Sequence, residues 1–243
     1  MSTTQQELTL FFDETFDTLN RVRQIYSPDL LDQEVGVVSY VGHGIARVHG
    51  QPGARLDELL QFPDGLLGMV FNLDSREVGV VLLGESTSLG AGATAYRTGR
   101  VMDLPVGRAL LGRVIDATGA PLDDLPPART GERLPIERTA PAIMQRSPVT
   151  VPLQTGIKVI DALLPIGRGQ RELILGDRQT GKSSIALDTI INQRGKDVIC
   201  VYCAVGQRNS AVARFIADLR AHDAMGYTVV VVAGGEDPPG LQF

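Results

Sequence analysis

A chain of 243 residues, 43% hydrophobic and 21% charged, has room for one large domain or two small ones around an ordinary globular core. Its formal net charge of −5 and the lack of a basic block argue against a general nucleic-acid binder. Residues 1–7 are polar without the charged-then-apolar layout of a secretory signal, and no apolar stretch reaches the roughly 18 residues that span a bilayer, so the sequence predicts a soluble, cytosolic chain.

Residues 7–26 place Leu8, Phe11, Phe12, Phe16, Leu19 and Val22 at helical spacing on one apolar face, and Ser27-Pro28 ends that helix. Such a face packs on its own domain or docks on a partner, and the residues favour neither. From residue 34 to about residue 100 the texture changes to short β-rich runs separated by Gly, Pro and Asp. Strands are expected over 35–41, 45–49, 58–62, 67–73 and 78–83, with a turn at Asp74-Ser75-Arg76. Many short strands with frequent turns indicate a small barrel or sandwich.

Residues 101–154 carry Pro105, Pro121, Pro126, Pro127, Pro135, Pro141, Pro148 and Pro152, which excludes long helices and predicts an extended connector wrapping the next domain. After Ile157 the expected order is helix, strand, loop, helix, strand, helix, strand: the alternation of a parallel sheet covered on both faces. Residues 171–175 read as its first strand. Residues 183–193 read as a largely buried helix through Ile185, Leu187, Ile190 and Ile191. The crossover helix 210–222 offers Val212, Ile216 and Leu219, and the last strand runs over 227–232.

Between that first strand and helix lies Gly176-Asp177-Arg178-Gln179-Thr180-Gly181-Lys182-Ser183, which fits the phosphate-binding pattern GxxxxGK[ST] in its proper strand–loop–helix setting. Successive backbone N–H groups at a helix N-terminus make a cradle for a polyphosphate. Lys182 would reach the β- and γ-phosphates of ATP, Ser183 would place its hydroxyl on Mg²⁺, and Ser184 follows them into the helix start. The division is therefore a helical segment at 1–33, a β-barrel at 34–100 and a nucleotide-binding domain at 101–243.

Cys200 and Cys203 have CxxC spacing but sit in a β-rich run, where residues three apart face opposite sides, so two buried free thiols are expected rather than a shared zinc or a disulfide. His43, His49 and His222 stand apart, with no second ligand at metal spacing.

The run 167–173, Gly-Arg-Gly-Gln-Arg-Glu-Leu, followed by the phosphate loop, together with residues 105–114, 119–123 and 154–161, closely resembles the α subunits of F-type ATP synthases. The resemblance extends from about residue 34 to the last residue. It implies a β-barrel followed by an α/β nucleotide domain, in a subunit that alternates with β subunits in a ring around the rotating γ shaft. That ring makes ATP from ADP and phosphate using a transmembrane ion gradient, typically of protons. The N-terminal helix would dock the peripheral-stalk δ subunit, and the chain would reach the cytoplasmic side of the cell membrane only through the assembled complex.

Two features resemble α rather than the paralogous β subunit. In β the strand after the phosphate-loop helix ends in Gly-Glu-Arg, whose carboxylate helps to activate the attacking water; here the place reads Gly206-Gln207-Arg208. A neutral amide cannot act as that base, so the resemblance implies a site that binds Mg-ATP with no catalytic residue of its own. Asp177, Arg178 and Gln179 also match α, where β carries small residues.

The family's chain continues past Phe243, with a metal-holding Asp on a later strand, an arginine for the neighbouring site, the adenine-side contacts and a helical domain. Asp237 imitates that Asp but comes several residues beyond its strand, and is expected to be a loop residue. The sheet would then be unfinished, with an apolar edge prone to aggregation. Two other readings stand beside the first: a hexameric motor ATPase of the helicase or secretion type, and an inactive nucleotide-binding fragment.

Overall fold

The structure, a computed structural model, describes Phe16 and residues 34–243. Of the expected N-terminal helix only Phe16 is therefore visible, helical and exposed; the docking role lies outside the described residues.

Six antiparallel strands close the barrel: β1 (Val35–Gly42), β2 (Ile45–His49), β3 (Glu58–Gln61), β4 (Leu67–Leu73), β5 (Val78–Leu82) and β6 (Thr94–Val101), in the order β1-β2-β5-β4-β3-β6. Alternation along these strands sends Val38, Ala46, Val48, Leu60, Val70, Val80, Leu82 and Ala95 inward, and Phe62 joins them just past β3. Burying each of the larger aliphatic or aromatic side chains is worth about 1.5–3 kcal/mol. Five strands follow the sequence expectation. The sixth, β6, was not anticipated; it closes the ring by pairing Val35 with Tyr96 and Leu60 with Arg97.

A charge latch holds that closing strand. The Arg97 guanidinium donates to both carboxylate oxygens of Glu58, each at 2.9 Å, and to Glu34 Oε2 at 2.7 Å. Glu58 is only 2% exposed, and it also accepts from the backbone N–H groups of Arg55 (3.0 Å) and Gly99 (3.2 Å). Burial opposes ionisation of Glu58, but the hydrogen bonds and charge of Arg97 and the two amides outweigh it, leaving its pKa below the ordinary carboxylate value.

The proline-rich connector folds into short pieces. β7 (Asp103–Val106) pairs antiparallel with β9 (Glu132–Pro135), while β8 (Val114–Asp116) enters the parallel sheet. The segment expected to be only an extended connector therefore contributes a strand to the parallel sheet. Arg113 ties this turn down, donating to Asp123 at 2.6 and 3.0 Å and to Pro126 O at 2.8 Å. The Arg113 hydrogen bonds, against the opposing effect of burial, lower the pKa of Asp123 to about 2. Farther on, β10 (Pro152–Leu153) pairs with β11 (Ile166–Gly167), and α1 (Lys158–Leu163) lies between them.

The parallel sheet has the order β12-β13-β8, with β12 at Cys200–Gln207 and β13 at Thr228–Gly234. Helix α2 (Lys182–Ile191) precedes β12, α3 (Asn209–Ala221) crosses from β12 to β13, and a short α4 (Pro239–Gln242) follows. Val212, Phe215 and Leu219 of α3 pack on Ala204, Val230 and Val232. This is the expected α/β fold behind an N-terminal barrel.

Three expectations are corrected here. Residues 171–175 form no strand: a strand exists only as a rung in a ladder, and no described residue pairs with this one. Its apolar side chains face solvent instead, Leu173 at 78% and Leu175 at 81% exposure. A cavity of about 440 Å³ bordered by Leu173, Ile174, Ile185 and Tyr202 separates the segment from β12. For the same reason α2 is less buried than its composition suggests, with Ile190 its one buried residue. The second correction concerns the sheet faces: Cys200 and Ala204 of β12 are buried, but Val201, Cys203 and Val205 on the opposite side are exposed. Third, the two thiols do face opposite sides and are free, yet only Cys200 is buried.

Candidate functional site

The phosphate loop is shaped by three close constraints. A Cβ on Gly176 would lie 2.6 Å from Thr180 Oγ1, so the loop folds tightly only with glycine there. Gln179 and Gly181 both take positive φ, 64° and 91°, turning the chain into α2 at Lys182. Thr180 Oγ1 donates to Asp177 O at 2.8 Å and pins the turn. Among the described residues no hydrogen bond uses the backbone N–H groups of residues 177–184. These are unspent donors at a helix N-terminus, the chemistry a polyphosphate requires.

Lys182 folds back over the loop. Its ammonium donates to Gly176 O at 2.6 Å and to Asp177 O, with a longer contact of 3.5 Å to Thr180 Oγ1. An ammonium carries three protons; the two carbonyls hold it in place, and the proton on the long contact to Thr180 Oγ1 is the weakest held and the first that an anion in the cradle would take. Ser183 and Ser184 are exposed in the first turn of α2. The Ser183 hydroxyl has no partner among the described residues, which suits an oxygen ligand for a hard cation. The chain thus brings Gly176, Asp177, Arg178, Gln179, Thr180, Gly181, Lys182, Ser183 and Ser184 together as one loop and helix start, exposed except for the half-buried Gly181 and Lys182.

The far end of α2 is anchored. Asn192 Nδ2 donates to Thr155 O at 3.1 Å, and Gln193 Nε2 donates to Gln154 O at 2.8 Å. The Asp161 carboxylate gathers the Thr155 hydroxyl (2.7 Å), the Thr155 N–H (2.8 Å) and the Gly156 N–H (2.9 Å), and these bonds lower its pKa. Tyr227 Oη donates to Ile190 O at 3.0 Å. The helix that carries Lys182 is thereby fixed to the segment before it and to the start of β13.

Gln207 ends β12 at the C-terminal edge of the parallel sheet, where α/β folds bind ligands. It is half-buried, and its amide lies 3.1 and 3.3 Å from the Tyr202 hydroxyl. Tyr202 stacks on Phe215 of α3 at a centroid distance of 3.8 Å and 14° between planes. Neither Tyr202 nor Phe215 was marked as functional by the sequence, because their contact with Gln207 depends on a strand irregularity that composition does not reveal. Asp237 is a turn residue, its Oδ2 accepting from Gly234 N–H at 2.6 Å. Among the described residues no group of three or more His, Cys, Asp or Glu could hold a metal; His49 Nδ1 sits 2.8 Å from Arg76 O and His222 Nδ1 2.8 Å from Asp218 O.

Comparison with known proteins gives a consistent result. Residues 156–243 match the ATP synthase alpha/beta family, nucleotide-binding domain, and residues 32–99 match the ATP synthase alpha/beta family, beta-barrel domain. The chain is 58% identical over 238 residues to "ATP synthase subunit alpha 2" of Albidiferax ferrireducens, covering 98% of this chain and 45% of that protein. It is 58% identical over 243 residues to "ATP synthase subunit alpha 2" of Polaromonas naphthalenivorans, covering 100% of this chain and 47% of the relative. With "ATP synthase subunit alpha 1" of a Marinomonas species it shares 58% identity over 232 residues, 96% of this chain and 46% of the relative. The chain spans about half the length of the curated relatives it matches.

Proposed function

The chain belongs to the ATP synthase alpha/beta family, and from that premise we propose that it is an alpha-type subunit that holds ATP in the synthase head without hydrolysing it. The observation that carries this reading is the presence in one chain of a formed phosphate loop and a neutral Gln207 at the end of β12. Backbone N–H groups of residues 177–184 and the held ammonium of Lys182 bind the phosphates electrostatically. An Mg²⁺ ion arriving with the nucleotide would be held by Ser183 and would neutralise phosphate charge. Gln207 cannot take a proton from water at neutral pH, so the site lacks a base of its own.

In this reading the subunit alternates with catalytic β subunits around a γ shaft, contacts a δ-type stalk subunit through residues 1–33, and sits peripherally on the cytoplasmic side of the membrane. Assembly links it to ATP synthesis driven by an ion gradient. The helicase-like alternative needs a positive inner surface, which a net charge of −5 does not supply.

The test is nucleotide binding by the intact subunit. Lys182→Ala is expected to weaken ATP by about 10- to 150-fold while leaving adenosine unchanged, because only the phosphates meet the ammonium. An equal loss for both ligands would show that the substitution collapses the loop.

A further inference from the structure

We propose that Tyr202 is a positioning residue that fixes the Gln207 amide as a hydrogen-bond donor toward the terminal phosphate of the bound nucleotide; this rests on the nucleotide-holding function proposed above. Residues five apart on a regular strand face opposite sides of the sheet. The ladder between β12 and β13 shifts register between Val205 and Gln207, where Gly206 takes φ of 64°. That irregularity resets the alternation and brings Gln207 onto the Tyr202 face. The result is visible in the 3.3 Å approach of Tyr202 Oη to Gln207 Oε1 and the 3.1 Å approach to Nε2.

Tyr202 is itself a rigid post. Its ring is stacked on the buried Phe215, and it borders the same cleft as Ile185 and Ala186, one turn along the helix that begins at Lys182. Tyr202 thus borders the cleft beside the phosphate-loop helix, while its hydroxyl reaches the Gln207 amide at the strand end. A polyphosphate offers only acceptors. The phenol can donate to Oε1, leaving both amide protons of Gln207 unspent, or accept one from Nε2, leaving the other. In either arrangement at least one N–H remains for a phosphate oxygen, and the tether removes the rotamer freedom that a solvent-exposed glutamine would lose on binding.

The experiment is a double-mutant cycle in the intact subunit, measuring Kd for Mg-ATP and Mg-ADP with Tyr202→Phe, Gln207→Ala and the double variant. Tyr202→Phe keeps the ring and its stack, so the melting temperature should hold. Each single variant is expected to weaken Mg-ATP by about 3- to 10-fold and Mg-ADP by less than about 2-fold, as for one neutral hydrogen bond to the terminal phosphate. The double variant should be no worse than Gln207→Ala alone. Additive losses in the double variant, an unchanged ATP affinity in either single variant, or equal losses for ATP and ADP would overturn the assignment. An ATP affinity left unchanged by Lys182→Ala would instead overturn the proposed function itself.

Discussion

In the barrel each of the six strands has two hydrogen-bonded neighbours, whereas β12 of the parallel sheet has one and the 171–175 segment has none among the described residues. The barrel core is correspondingly closed: Val38, Val48, Leu60, Val70, Val80 and Leu82 are all but fully buried. In the nucleotide half Leu173, Leu175, Val201 and Val205 lie open. Both regions are rich in apolar residues, so composition does not separate them; ladder closure does. The contrast predicts that stability resides in the barrel and binding chemistry in the looser half.

The largest effect should come from attacking the closed region. Phe62→Ala removes a fully buried ring from the barrel and is expected to destabilise by about 3–5 kcal/mol, read by denaturant unfolding of the 34–243 unit. A loss below about 1 kcal/mol would mean that the barrel core is not the principal source of stability, and the comparison would break.

Acid should act on the connector that joins the two regions. Asp123 has a folded pKa of about 2, below its unfolded value near 3.8, so its stabilisation is present above about pH 4 and is lost as pH falls toward 2. Glu58 is shifted in the same direction. Integrated over that window, Asp123 contributes on the order of 2 kcal/mol. Asp123→Asn should lower stability at pH 7 and flatten the decline between pH 4 and 2; an unchanged slope would remove Arg113–Asp123 from the account.

The smallest effect is expected at the open region. Leu175→Ser replaces a side chain that already faces solvent, so stability should change by less than about 0.5 kcal/mol while self-association falls. A loss comparable with that of Phe62→Ala would show Leu175 packed in the folded protein.

The sequence disclosed much of this because alternation and the phosphate-loop pattern are local properties. Val78 to Leu82 reads as a strand from its own residues, and Gly176 to Ser183 as a cradle from its spacing. The failures were non-local. In Thr94–Val101 only Ala95 is buried, so the strand that closes the barrel shows almost no apolar period. Residues 171–175 have a strand's composition, but pairing depends on a neighbour that composition cannot supply. Val114–Asp116 is three residues long inside a proline-rich stretch, too short for any period. Tyr202 and Gln207 meet only because Gly206 breaks the alternation, and Cys203 is exposed because the sheet face it occupies is uncovered.

The central claim is that this site holds ATP without turning it over. The most direct measurement incubates the intact subunit alone with Mg-ATP labelled on the γ-phosphate and follows bound and released label over many times the dissociation half-life. The account predicts that the label, bound or released, remains unhydrolysed ATP and that Lys182→Ala lowers the bound fraction in line with its weaker affinity. Steady release of labelled phosphate, itself abolished by Lys182→Ala, would contradict it, because a complete catalytic set would then exist despite Gln207.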